Sequence, residues 1–239
     1  LMPRLGTQWA QSRPWEGKTI AINAHLTTLT ATLLRELALG GGEWVITASD
    51  SATTHMGVVD WMREQGWAVY SGGGMKDRHL AALDHEPDLI ADVGFDLIDC
   101  LLQKRPGHCQ NLLGAVELTR SGITRLRACG ELPIPVVNIN DGRLKPHVEN
   151  RHGVGESLWM AVRQCTGLHL SGRRVLVVGY GAVGQGLAAY ARAGGASVSV
   201  LEGDPVRRLA ARYDGFLVPE QARALQEAEI TVTATGRRG

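Results

Sequence analysis

The stretch Arg174-Val-Leu-Val-Val-Gly179-Tyr-Gly181-Ala-Val-Gly184-Gln-Gly186, with Val198-Ser-Val-Leu-Glu202 after it, constrains the chain more than any other. Val175 to Val178 is apolar and β-branched without polar alternation, as a parallel strand buried on both faces requires. Gly179 allows a tight turn, Gly181 removes a Cβ that would block a pyrophosphate, and Gly184 lets the following helix pack close to the strand. Gly186 adds another small residue on that helix. The turn residues Ala182 and Val183 open the helix, whose unpaired N–H groups suit phosphates. A second strand, Val198 to Leu201, ends at Glu202, where a carboxylate can accept hydrogen bonds from an adenosine ribose.

This order of strand, glycine turn, helix, strand and acid reads as a dinucleotide site. Glu202 favours NAD over NADP, because a carboxylate ~4 Å from a 2′-phosphate costs on the order of 4 kcal/mol at an effective dielectric of ~20. Arg207 and Arg208 just downstream could reach a 2′-phosphate, or simply be solvated.

Before this stretch the chain alternates strands and helices. Lys18 to Asn23, Trp44 to Ala48, Trp67 to Tyr70 and Leu89 to Val93 read as strands. Helices follow up to Leu39, over Met56 to Gln65 and over Lys76 to Leu83. Residues 1–17 read as an arm, and the chain after Leu89 to Val93 is followed only as far as Gly94-Phe95-Asp96. The fold class is α/β, a parallel sheet with ligands at the carboxyl ends of its strands, where the loops beginning His25, Ser49 and Asp92 lie. Glu117, Thr119, Arg120 and Ser121 precede a further helix, Pro133 to Asn138 is extended, and Asn138 to His147 is turn-rich. Glu149 to Cys165 reads as one long helix. The expected domains are 1–150, a substrate domain, and 151–239, a dinucleotide-binding domain in which helix 204–213, a strand near Phe216 to Val218, helix 219–227 and strand 229–233 make about half of a six-stranded dinucleotide fold.

The net charge of +1 offers no electrostatic case for nucleic acid or an anionic membrane. Cys100, Cys109, Cys129 and Cys165 lack metal or disulfide spacing, which fits a reducing cytoplasm, and no metal site is expected. No apolar run reaches the length of a membrane span.

The run Asn138-Ile-Asn-Asp-Gly-Arg-Leu-Lys145-Pro-His-Val-Glu149-Asn150-Arg-His-Gly-Val-Gly-Glu156-Ser157-Leu158, together with the glycine turn, resembles S-adenosylhomocysteine hydrolase. Ala24-His25-Leu26-Thr27, Thr47-Ala48-Ser49-Asp50, Asp92-Val-Gly-Phe-Asp96-Leu97, Glu202-Gly-Asp204-Pro205 and Thr233-Ala-Thr-Gly236 match in the family's order. The resemblance implies tightly held NAD, a substrate domain and a cofactor domain that close on each other, a small-molecule substrate, and a homo-oligomer, tetramer or dimer. It also implies oxidation of a ribose hydroxyl, loss of a 5′ thiol, addition of water and return of the hydride.

Carried over residue by residue, the resemblance makes His25, Lys145 and Glu149 the catalytic candidates, Glu149 standing where the family has aspartate. Thr27, Thr53 and Thr119 become substrate contacts, and Thr119, Ser121 and Asn150 join the cofactor site. Four positions depart: Leu29, Val93 and Leu118 replace carboxylates, and Val154 replaces a cysteine. Three readings follow from this. They are an NAD-dependent relative oxidising another nucleoside or sugar hydroxyl, ordinary S-adenosylhomocysteine hydrolysis, and an inactive NAD-binding relative that acts through a partner.

Overall fold

The computed structural model describes residues 2–236. The chain divides into two compact units, Leu1–Asn140 and Asp141–Gly239. The division falls between Asn140 and Asp141, ahead of the boundary expected near Asn150, which lies within a helical segment.

In the first unit the expected N-terminal arm is instead a helix, α1 (Met2–Ser12). Gly6 is buried in it, and a Cβ there would collide with the Glu36 carboxylate, so α1 lies close on α2 (Thr28–Ala38). Between them runs β1 (Thr19–Ala24). After α2 come β2 (Glu43–Ala48), α3 (Met56–Glu64), β3 (Ala68–Tyr70), α4 (Met75–Leu83) and β4 (Leu89–Asp92). The chain then continues through α5 (Asp96–Lys104), β5 (Gly114–Glu117), α6 (Arg120–Ala128) and β6 (Val136–Asn138). α5 and β5 are additions to the sequence reading. β5 has four residues and opens on a glycine, so it carries little strand signal of its own.

The six strands are parallel, in the order β3-β2-β1-β4-β5-β6. Alternation along the strands supplies both faces. Ile20, Ile22, Trp44 and Ile46 bury against α2 and α3, while Ala21, Val45, Ile90 and Ala115 bury against α4 and α5. Helices on opposite faces therefore leave β1 and β4, and the strand order reverses between these two strands. A sheet of this kind takes its ligands at such a switch point, outside the carboxyl ends.

The second unit opens with a π-helical segment, Lys145–Gly153, that runs into α7 (Val154–Thr166). This corrects the single helix expected from Glu149 to Cys165. Helical turning begins four residues earlier, with Pro146 in the first turn, where its missing N–H costs nothing. Then follow β7 (Arg174–Val178), α8 (Ala182–Ala193), β8 (Ser197–Leu201), α9 (Pro205–Tyr213), α10 (Gln221–Glu227) and β9 (Ile230–Thr233), with sheet order β8-β7-β9. The strand expected near Phe216 to Val218 reduces to one parallel bridge, Ser199 to Leu217. Phe216 turns inward onto Tyr180, and Leu217 is left exposed.

Two buried groups in the first unit titrate in opposite senses. Burial lowers His79 to about 4, against an opposing pull from Asp96. Burial raises Asp92 to about 7, despite hydrogen bonds from Ile98, Asn23 and Val93. His79 therefore contributes stability above its ordinary pKa and loses it as pH falls toward about 4. Asp92 contributes stability below its ordinary pKa and loses it as pH rises toward about 7. Each effect is on the order of a few kcal/mol, and the two oppose each other across the window between these values. Denaturant titrations of wild type across that window are expected to show a shallow dependence. Asp92→Asn should make stability rise with pH and His79→Leu should make it fall, and parallel curves for all three proteins would refute the assignment.

Candidate functional site

The glycine turn of the second unit is built by backbone contacts that the sequence foreshadows. Gly179 has a φ of +101°, and a Cβ there would come within 2.8 Å of the Ala234 carbonyl oxygen in the chain leaving β9. A Cβ at Gly184 would collide with the Gly179 carbonyl oxygen, so α8 sits directly on the turn. Gly186 serves a different contact: a Cβ there would collide with the Arg151 carbonyl oxygen, because the π-helical segment and α7 pack backbone to backbone on α8. Trp159 locks that packing by donating its indole N–H to the Leu187 carbonyl at 3.0 Å.

Gly181 is unlike these three. A Cβ at this position would meet nothing closer than Arg207 Nη1 at 3.9 Å. Its φ of −74° and ψ of −172° are open to any residue. No protein contact requires glycine here. The space above the turn is clear, and no side chain caps the first turn of α8. Those first-turn N–H groups and that clear space fit a pyrophosphate. Ala182 and Val183 lie half-buried at the same helix start.

Glu202 ends β8 beside the turn. Its Oε2 accepts from Tyr180 N at 2.6 Å and its Oε1 from Asp204 N at 2.9 Å. Burial pushes this carboxyl up, and the N–H groups of Asp204 and Tyr180, with the Arg207 charge, outweigh it and hold it below the usual range. It is therefore a fixed, ionised acceptor, as a ribose diol needs. Tyr180, which the sequence reading passed over, roots the turn: its hydroxyl donates to Asp214 Oδ2 at 2.6 Å and its ring packs edge-on to Phe216. The signal available for it was an aromatic residue between two turn glycines.

The remaining candidates of this unit sit on the π-helical segment. Lys145 Nζ donates to Glu149 Oε1, one turn along, with the lysine side chain largely covered and the glutamate more exposed. Asn150 is half-buried on the next turn.

In the first unit the switch point collects the other candidates. His25 directly follows β1, and its Nδ1 lies 2.7 Å from Thr53 Oγ1, in the loop after β2. Thr53 Oγ1 also lies 3.1 Å from the Asp50 carbonyl oxygen. When the single hydroxyl proton goes to that carbonyl, His25 Nδ1–H becomes the donor and Nε2 keeps a free lone pair. Thr27 caps α2, accepting from Thr30 N at 3.4 Å. Leu29 stands in the first turn of α2 and is 80% exposed, an apolar side chain facing water at this end of the sheet.

Thr119 caps α6 and is fully engaged within the protein. Its hydroxyl donates to Glu117 Oε1 at 2.7 Å and accepts from Gly94 N and Gly122 N, each at 3.0 Å. Ser121, 3.2 Å from Thr119 Oγ1, is the exposed hydroxyl of this turn. Beneath these loops lie groups the sequence reading did not single out as site residues: Asn23, Asp92 and Glu117, each at most 1% exposed. Asp92 Oδ1 accepts from Asn23 Nδ2 and from Val93 N, each at 2.8 Å, and Oδ2 from Ile98 N at 2.8 Å. Asp92 and Glu117 are register partners on β4 and β5, so Val93 and Leu118 are the next residues out at the carboxyl ends.

Residues 150–239 match the family model described as S-adenosyl-L-homocysteine hydrolase, NAD binding domain. Among curated proteins the chain is 38% identical over 248 residues to S-inosyl-L-homocysteine hydrolase of Methanopyrus kandleri, covering 99% of this chain and 58% of that protein. It is 37% identical over 245 residues to adenosylhomocysteinase of Thermococcus kodakarensis, again covering 99% of this chain and 58% of the relative. The chain thus spans somewhat more than half the length of these relatives. Among solved structures, a dipicolinate synthase chain from Bacillus halodurans aligns with a TM-score of 0.52 at 14% identity, over 92% of this chain and 74% of that one, and shares the fold. Over nearly its whole length the chain is similar to proteins of the S-adenosyl-L-homocysteine hydrolase family, and its glycine-rich unit is an NAD-binding domain of that family's type. No helix among the described residues is long and apolar enough to cross a membrane.

The glycines separate cleanly by experiment. Gly184→Ala is expected to destabilise the second unit by several kcal/mol, since a backbone carbonyl must move, whereas Gly181→Ala should fold with a near-native melting temperature. Its cost should appear as an affinity for NAD weaker by about tenfold or more, a loss of at least ~1.4 kcal/mol. Calorimetry of melting and NAD titration check both, and an unchanged NAD affinity in Gly181→Ala would remove the pyrophosphate from this turn.

Proposed function

We propose that the protein is an NAD-dependent hydrolase of a nucleoside thioether, in which a ribose hydroxyl is oxidised, the 5′ thiol is eliminated, water adds and the hydride returns within one turnover. The observation that carries this reading is Gly181: an open, uncapped phosphate cradle that the fold does not need for itself, beside a carboxylate fixed for a ribose. The names of the related proteins supply the substrate type, a homocysteine thioether of adenosine or inosine.

NAD bound at this turn would supply a reversible hydride acceptor. Gly179, Gly181, Ala182, Val183 and Gly184 would hold its pyrophosphate and Glu202 its adenosine ribose, with Asn150 as a further contact. Lys145 is the candidate base for the sugar hydroxyl. Glu149, which accepts a hydrogen bond from its Nζ, positions the lysine and is the group that can take its proton, leaving the neutral amine to act as the base. His25, oriented through Nδ1 by Thr53, offers Nε2 for the proton that the thiol leaving group requires. Thr27 and Thr53 are the hydroxyl-bearing contacts on that side.

Leu29 shapes what the base end of the site accepts. An adenine presents an exocyclic amino donor, and a hypoxanthine presents a carbonyl acceptor in its place. An exposed leucine at position 29 offers no acceptor to the amine and repels no carbonyl, so it favours a base that lacks the amino donor over adenine. The substrate we favour is accordingly a nucleoside other than S-adenosylhomocysteine, and the inosyl thioether of the Methanopyrus kandleri relative has the right chemistry.

The test follows the absorbance of reduced cofactor. The intact protein is purified, its bound NAD is confirmed by denaturing release, and S-inosylhomocysteine, S-adenosylhomocysteine, inosine and adenosine are added in turn. Reduction is expected with the inosine compounds and more weakly with the adenosine ones. Lys145→Met should retain bound NAD and lose at least about a hundredfold in reduction rate, the range of general acid–base catalysis. Equal rates in wild type and Lys145→Met would remove the lysine from the chemistry. Bound NAD that none of the four compounds reduces would overturn the reading and leave an inactive NAD-binding relative.

A further inference from the structure

We infer that Glu117 is a positioning residue: a buried carboxylate that fixes the loop Val93–Phe95 at the switch point and makes its shape a condition for turnover. This deepens the proposed function and rests on it.

Glu117 is fully buried, so it cannot itself touch a ligand. All its hydrogen bonding is directed at two neighbouring turns. Oε2 accepts from Phe95 N at 2.8 Å, and Oε1 accepts from Gly94 N at 3.1 Å, Thr119 N at 2.7 Å and Thr119 Oγ1 at 2.7 Å. One carboxylate thus ties the loop after β4 to the start of α6. The loop needs tying, because both Gly94 and Phe95 have positive φ, +86° and +66°. For a phenylalanine this conformation is costly and persists only where surrounding contacts over-determine it.

Other groups converge on the same loop. Arg125 Nη1 donates to the Gly94 carbonyl at 2.6 Å and to Asp96 Oδ1 at 2.5 Å, and its guanidinium lies 5.7 Å from the Phe95 ring centroid. Asp92 holds Val93 N and Ile98 N from below. Gly122 belongs to the device as well: a Cβ there would collide with the Glu117 carboxyl, so only glycine leaves room for it. The product of all these contacts is a left-handed loop presenting Val93 at the carboxyl end of β4, where the strand order reverses beside His25. Fixed geometry at a reacting site is worth up to about a hundredfold in rate for a displacement of ~1 Å.

The test uses Glu117→Gln in the intact protein, which keeps the side chain's size and places an amide donor among N–H donors. Gly122→Ala displaces the carboxylate without altering its charge. Both are expected to retain bound NAD, because the residues lie outside the NAD-binding unit. Amide exchange at Gly94 and Phe95 should accelerate by tenfold or more, with exchange in β7 to β9 unchanged. Reduction of bound NAD by saturating nucleoside should slow by at least about tenfold per molecule of folded protein, the KM changing less than the rate. A lower melting temperature with an unchanged rate per folded molecule would make Glu117 a residue of stability only and overturn the inference while leaving the proposed function intact. Unchanged amide exchange in both variants would overturn it as well. A wild-type protein that no nucleoside reduces would instead fail the function, and the inference with it.

Discussion

The hydrogen bond from backbone N–H to a carboxylate at the end of a parallel strand recurs in both units of this protein. Asp92, Glu117 and Glu202 are each the last residue of a strand or the one after it, and each accepts from N–H groups of the loop that follows or lies alongside. In a parallel sheet every strand releases its chain at the same edge, and the first N–H groups beyond the ladder lose their partners there. A carboxylate at that point satisfies several at once and does so more strongly than a neutral acceptor. Loop shape at the functional edge is thereby set by acids anchored in the rigid sheet rather than by the loops' own composition.

The same device leads to different outcomes according to burial. Glu202 is partly open, sits beside Arg207, and is held ionised below its usual range, so it remains an acceptor for something arriving from outside. Asp92 is fully buried beside a second buried carboxylate, and it is driven up to about 7. The first acid stays partly open to solvent, as the proposed ribose contact requires, and the second is enclosed by the fold. Strand position alone does not distinguish them.

Burial and distance also decide what was legible in the sequence. The glycine turn could be read because two of its glycines have a local cause: a positive φ at Gly179, and backbone crowding at Gly184. The strands of the two cores were likewise visible as apolar runs, and the structure keeps most of them within a residue or two. Glu117 was seen only as a polar residue ahead of a helix, since its four-residue strand begins with glycine and its partners, Gly94 and Phe95, are more than twenty residues away in sequence. The helix at the N-terminus was hidden by Pro3 and by Gly6, whose presence answers to Glu36 on another helix and not to any local turn. Periodicity reports which face of an element is buried, and it says nothing about a side chain whose whole purpose is to satisfy the backbone of a distant loop.

Gly181 and Gly186 show how the distinction can be drawn once coordinates exist. Both glycines belong to one dense motif, and composition treats them alike. At Gly186 the missing Cβ is filled by the Arg151 carbonyl, so the protein itself occupies the space and the glycine is a packing residue. At Gly181 the nearest atom is a side-chain end at van der Waals distance and the backbone conformation would admit alanine, so the space is left to the pyrophosphate of the proposed function. The converse applies to Thr119, which the family resemblance assigned to ligands: its donor and both acceptor positions are taken by Glu117, Gly94 and Gly122, so its hydroxyl is spent on the backbone it holds.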